Sequence, residues 1–169
     1  MNWLGAAIIV AACSVIGINK ARSLGNTEKC YAALISVLEI AKGEICTRRA
    51  PMDEVFRVLA EGAAKPVRPF VSGAAAQLTA LGDHSFAEIW CGCADKYLTQ
   101  LSQASIAAIK SLGSSLGRYD AEIQCAAIER CMALLSQEQQ AFSSGLSANK
   151  RMYIGISSGT GLIIAIMLL

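Results

Sequence analysis

The side chains able to do chemistry in this sequence are few: seven cysteines, one histidine and a scattering of carboxylates. Cys91 and Cys93 are separated by Gly92 alone, a spacing that on a helix sends the two thiols about 200° apart. Cys125 and Cys131 are also poorly aligned on a helix. Neither is the two-spacer pair used by zinc sites and thioredoxin-like centres. Cys30, Cys46, Cys91, Cys93, Cys125 and Cys131 therefore read as free thiols serving as small core hydrophobes. His84 lies in the turn-like stretch Gly82-Asp83-His84-Ser85, and nothing pairs it with a nucleophile. Phosphate loops and glycine-rich dinucleotide fingerprints are absent. The expectation is a non-enzymatic protein with no cofactor, no bound metal and no small-molecule substrate.

The elements that carry these residues are marked out by charge. All 15 Lys/Arg and all 13 Asp/Glu fall between Lys20 and Arg151, leaving residues 1–19 and 152–169 without a charged side chain. Overall 54% of the chain is hydrophobic and 17% charged, against about 25% charged in an average soluble domain. The net charge of +2 is too even to imply nucleic-acid binding, which needs clustered Lys/Arg.

Trp3–Ile18 and Met152–Leu169 are uninterrupted apolar runs. At 1.5 Å per residue they reach about 24 and 27 Å, close to the ~30 Å of a bilayer core. They predict transmembrane helices at 1–19 and 152–169, bracketing a domain at 20–151. Val10-Ala11-Ala12-Cys13 is similar to a lipoprotein processing site, but the apolar run continues past Cys13, which favours a span. Lys20, Arg22 and Lys29 follow the first run, and Lys150 and Arg151 precede the second. Positive flanks stay on the cytoplasmic side. Lys20, Arg22, Lys150 and Arg151 therefore predict a cytoplasmic central domain with both termini across the membrane. Free thiols fit a reducing cytosol.

Between the flanks the composition is helical, and the fold expected is an all-α bundle of about six helices. Thr27 is placed as the cap of a first helix running to about Cys46, with Tyr31, Leu34, Leu38, Ala41 and Ile45 on one face. Pro51, with Asp53 and Glu54 in the first turn, opens a second helix to about Ala64. Pro66 and Pro69 separate it from a third, ending at Leu81-Gly82. Ser85–Glu88 is a capping-box pattern opening a fourth, and a fifth spans Ser102–Leu116. Asp120 caps the last helix, whose stripe of Ala121, Cys125, Ile128, Met132, Leu135, Gln139, Phe142 and Leu146 faces a core. Gly145 and Ser147 mark a bend before the membrane. Within the second apolar run, Gly155 and Gly159 form a small-xxx-small pattern suited to close helix packing.

Three stretches then carry a resemblance over the length of the chain. They are Glu44-Ile45 leading to Pro51-Met52; Leu112-Gly113-Ser114-Ser115-Leu116-Gly117-Arg118-Tyr119-Asp120 followed by Gln124; and Lys150-Arg151-Met152-Tyr153 entering a span with Gly155 and Gly161-Leu162. In this order and position they resemble the stage III sporulation protein AB family of endospore-forming bacteria, although Ala50 stands where that family tends to have Thr. The resemblance implies a component of the channel complex between mother cell and forespore, in the mother-cell membrane around the forespore. It also implies a soluble domain similar to the F-type platform proteins of type II secretion and type IV pilus machines. The implied partners are other stage III sporulation A-type proteins, in particular the AA ATPase, met on the cytoplasmic side. The alternative from the residues themselves is a membrane-anchored, thiol-based metal or redox sensor.

Overall fold

The computed structural model describes the backbone of residues 2–79, 85–116 and 120–167, and the side chains of 19, 22–78, 85–116 and 120–145. Among the described residues there are six α-helices and no strand: α1 (Asn2–Lys42), α2 (Met52–Gly62), α3 (Arg68–Thr79), α4 (Phe86–Tyr97), α5 (Gln103–Ser115) and α6 (Ala121–Met167). One π-helical turn, Gly43–Thr47, continues α1. The chain divides into two compact units, residues 29–140 and the terminal stretches 1–28 with 141–169. The core described below belongs to the first.

The all-helical expectation holds, and most helix ends sit where local chemistry places them. Ser85 and Glu88 form the reciprocal capping box: the Glu88 amide donates to Ser85 Oγ and the Ser85 amide to Glu88 Oε2. Ser102 Oγ accepts from the Ser105 amide at the start of α5. Both satisfy donors that a helix start leaves unpaired. Pro51 holds an extended backbone ahead of α2, while Pro69 lies inside the first turn of α3, where a missing N–H costs nothing. Thr27 is not a cap. It sits within α1, and its hydroxyl donates to the Ser23 carbonyl one turn back, so the helix runs straight through the expected start. The expected end of α3 at Leu81-Gly82 lies outside the described residues.

Helices α2, α3, α4 and α5 pack in chain order, each against the next. α1 supplies Cys30, Tyr31, Leu34, Val37, Leu38, Ala41 and Ile45 to the core, and α6 supplies Gln124, Ile128, Cys131 and Leu135. The expected stripe of α6 was therefore right at Ile128 and Leu135, but Gln124 and Cys131 are more deeply buried than their stripe neighbours Cys125 and Met132. At the centre, Trp90 gathers the rings of Phe70, Phe86 and Phe56 at 4.6, 5.7 and 5.9 Å between centroids. Its indole N–H donates to the Ile109 carbonyl of α5 at 2.7 Å, giving the polar edge a partner inside an apolar cluster.

Among the described residues no helix is long and apolar enough to cross a membrane. The expected spans at 1–19 and 152–169 have all their side chains except that of Asn19 outside the described set. α6 is helical through Gly145 and Ser147.

Candidate functional site: the corner between α1 and α2

The chain leaves α1 through an unusual corner. In the π-turn the Arg48 amide donates to the Gly43 carbonyl and the Ala50 amide to the Glu44 carbonyl, a widening that often marks functional positions. Arg49 follows at φ 49°, the only non-glycine residue at positive φ among those described. A side chain there costs of order 1 kcal/mol or more, so its surroundings must hold it. Two features do so: Ile45 is buried, and the Arg48 guanidinium donates to Glu44 at 2.8 Å and Glu54 at 3.3 Å. The Arg48 side chain in the second is itself exposed, which limits its worth to about 1 kcal/mol.

The start of α6 faces this corner. Cys46 of the π-turn is disulfide-bonded to Cys125 of α6, with a Cα–Cα separation of 6.0 Å, inside the range that a disulfide spans. Lys42 pairs with Glu129 of α6 at 2.5 Å. A cavity of about 580 Å³ opens here, lined by Ile45, Arg49, Pro51, Met52, Asp120 and Glu122 among others. Arg49, Asp120 and Glu122 make no ion pair among the described residues. Among the described residues the lining sets the charged Arg49, Asp120 and Glu122 beside apolar Ile45, Pro51 and Met52.

Two of the three stretches that carried the resemblance meet at this corner. Ile45, Pro51 and Met52 come from the first, Asp120 and Gln124 from the second. Gly113 of the second stretch has a separate task. A Cβ at Gly113 would lie 2.1 Å from Trp90 Cδ1, so only glycine lets α5 lie this close to the indole. The second helix-spanning contact is polar. Tyr31 Oη, 3.1 Å from Ser105 Oγ, accepts from the Ser102 amide, and Ser102 Oγ donates to Glu138 at 2.6 Å, joining α1, α5 and α6.

The bond between Cys46 and Cys125 corrects the reading of these two as free thiols. Local spacing could not reveal it, because they are 79 positions apart. The one available signal was adjacency: Cys46 follows Glu44-Ile45 directly and Cys125 follows Gln124. The remaining described cysteines do behave as core hydrophobes, except Cys91, which is half-buried. Burial pushes the thiols of Cys30 and Cys93 up, and that of Cys131 to about 11, leaving them poor nucleophiles. Among the described residues no three His, Cys, Asp or Glu side chains come together as a metal site; His84 lies outside that set. Of the expected topology residues, Arg22 is exposed on α1, while the side chains of Lys20, Lys150 and Arg151 lie outside the described residues, as do Gly155 and Gly159.

A structure of a stage III sporulation protein AB (SpoIIIAB) matches with a TM-score of 0.61 and 22% identity, over 70% of this chain and 94% of that one. At that identity the likeness concerns the fold. Among curated proteins no sequence match is found. The model of the stage III sporulation protein AB family matches residues 2–169. A match of that extent takes in the α1–α2 corner, the bundle and both uncharged ends, and the chain belongs to the stage III sporulation protein AB family.

Proposed function

We propose that this sporulation protein is a non-enzymatic membrane platform of the mother cell–forespore channel complex. Its central domain would face the mother-cell cytoplasm and meet the secretion-type AA ATPase. The observation that carries the reading is the extent of the family match, residues 2–169, which includes both charge-free ends as well as the helical domain. Those ends serve as the two membrane anchors, oriented by Lys20, Arg22, Lys150 and Arg151. The α1–α2 corner supports a contact role, since Arg49, Asp120 and Glu122 offer both signs of charge beside apolar Ile45 and Met52. A partner can complete those ion pairs, the arrangement that gives specificity at an interface.

The test is purification of the tagged full-length chain from sporulating membranes. The AA ATPase and other stage III sporulation A-type proteins should co-purify; recovery of the chain without any of them would overturn the proposal. A double Gly155→Leu, Gly159→Leu variant should still insert but co-purify poorly, since lost close packing costs about 1–2 kcal/mol.

One observation favours a second reading, a membrane-anchored thiol-based metal or redox sensor, namely the Cys46–Cys125 bond. Zinc content and thiol titration separate the two readings: stoichiometric zinc, or a bond whose state alters partner binding, favours the sensor.

A further inference from the structure

Cys46 and Cys125 sit on backbone that other contacts already hold. Cys46 lies beside buried Ile45 and ahead of the Arg48 clamp on Glu44 and Glu54. Cys125 lies between Gln124, 9% exposed, and Ile128, fully buried. The two Cα atoms lie 6.0 Å apart, and both flanks of the bond are anchored in the core. Both residues are half-buried rather than enclosed in the core, unlike Cys30, Cys93 and Cys131. The other described cysteines offer no comparable pair: Cys30, Cys93 and Cys131 are buried, and Cys91 has no disulfide partner. The bond also spans the strained segment, from the π-turn just before Arg49 to the second turn of α6.

We propose that Cys46 and Cys125 form a reversible thiol–disulfide latch that closes the α1–α2 corner onto α6. Closing takes a low-molecular-weight disulfide, R′S–SR′, as oxidant. The thiolate of one cysteine attacks a sulfur of R′S–SR′, forming a mixed disulfide and expelling R′S⁻. The thiolate of the second cysteine then attacks the protein sulfur of that mixed disulfide, forming the Cys46–Cys125 bond and expelling the second R′S⁻. Two protein thiols lose two electrons and two protons, and R′S–SR′ takes them up as two R′SH. Opening is the reverse, with two R′SH as reductant. In the open state the covalent tie between the π-turn and α6 is gone, the exposed Lys42–Glu129 pair holds only the end of α1, and the cavity walls formed by Arg49 and by Asp120 with Glu122 part more easily. The inference rests on the bond and the corner alone, so co-purification of the ATPase can fail without touching it.

The experiment uses the full-length protein in detergent, equilibrated in buffers of varied reduced-to-oxidised glutathione ratio. Free thiols are then trapped by alkylation and mapped by peptide mass. The expected result is a bonded fraction that rises and falls with the ratio at Cys46 and Cys125 and nowhere else. Trypsin reports the corner, because Arg48 and Arg49 are both exposed. Cleavage there should be roughly five-fold faster in the reduced protein, as expected when a local opening gains population. A Cys46→Ser variant should be cut at the reduced rate in both extremes of buffer. Alkylation of both cysteines under oxidising conditions would overturn the proposal, as would a bond that survives excess reduced glutathione in the native protein. Equal cleavage in the two states would overturn it too, leaving the bond without hold on the corner.

Discussion

Replacing Gly113 by alanine sets two opposed effects against each other. In a helix interior alanine is favoured over glycine by about 1 kcal/mol, and α5 would gain that. The new Cβ, however, would stand 2.1 Å from Trp90 Cδ1, 2.7 Å from Cγ and 3.0 Å from Nε1. Carbon atoms rest at about 3.5–4.0 Å, so the ring or α5 must move by more than about 1 Å. Trp90 has little room to yield. It is 3% exposed, its N–H is bound to the Ile109 carbonyl at 2.7 Å, and Phe70 lies 4.6 Å from it centroid to centroid. Displacement strips a buried hydrogen bond, worth about 1–3 kcal/mol when its groups are left unpaired, and loosens aromatic pairs worth about 0.5–1.5 kcal/mol each. The net expectation is destabilisation by about 2–3 kcal/mol. A fragment covering residues 24–148, expected to be soluble and strongly helical, contains Trp90 as its sole tryptophan, so urea unfolding followed by fluorescence reports the site directly. Gly92 provides the control. It is exposed on α4, and a Cβ there meets nothing within 4 Å; Gly92→Ala should stabilise by about 0.5–1 kcal/mol. Equal shifts for the two variants, with Trp90 emission unchanged, would refute the reasoning.

Two further expectations concern polar groups in the same core. Tyr31→Phe removes the acceptor of the Ser102 amide and the neighbour of Ser105 Oγ, and should cost about 1–2 kcal/mol in the same unfolding assay; an unchanged midpoint would show that the α1–α5–α6 link carries no stability. Burial lifts the Cys131 thiol from 9.0 to about 11, so the folded state holds this proton more tightly than the unfolded chain. That contribution is complete below pH 9 and lost as pH rises toward 11, amounting to about 1 kcal/mol lost by pH 10. Cys131→Ala should flatten the decline in stability between pH 9 and 11, and an identical slope in both proteins would contradict the burial argument.

Much of this protein follows from local chemistry alone. Its helices begin where Ser85 with Glu88, or Ser102, can satisfy free amides, and these signals act over three or four residues, so they are legible in the sequence. The gathering of every charged side chain between Lys20 and Arg151 is likewise a property of the chain itself. Thr27 misled because a threonine can either cap a helix or bond back to the preceding turn, and the sequence does not say which. Two facts belong to tertiary structure. Gly113 and Trp90 are 23 positions apart, and the need for glycine exists only once α4 and α5 lie side by side. Cys46 and Cys125 have no local relation at all; α1 and α6 must pack before the thiols can meet. Capping and periodicity depend on neighbours along the chain, whereas close approach and cysteine pairing depend on neighbours in space, which only the packed bundle decides.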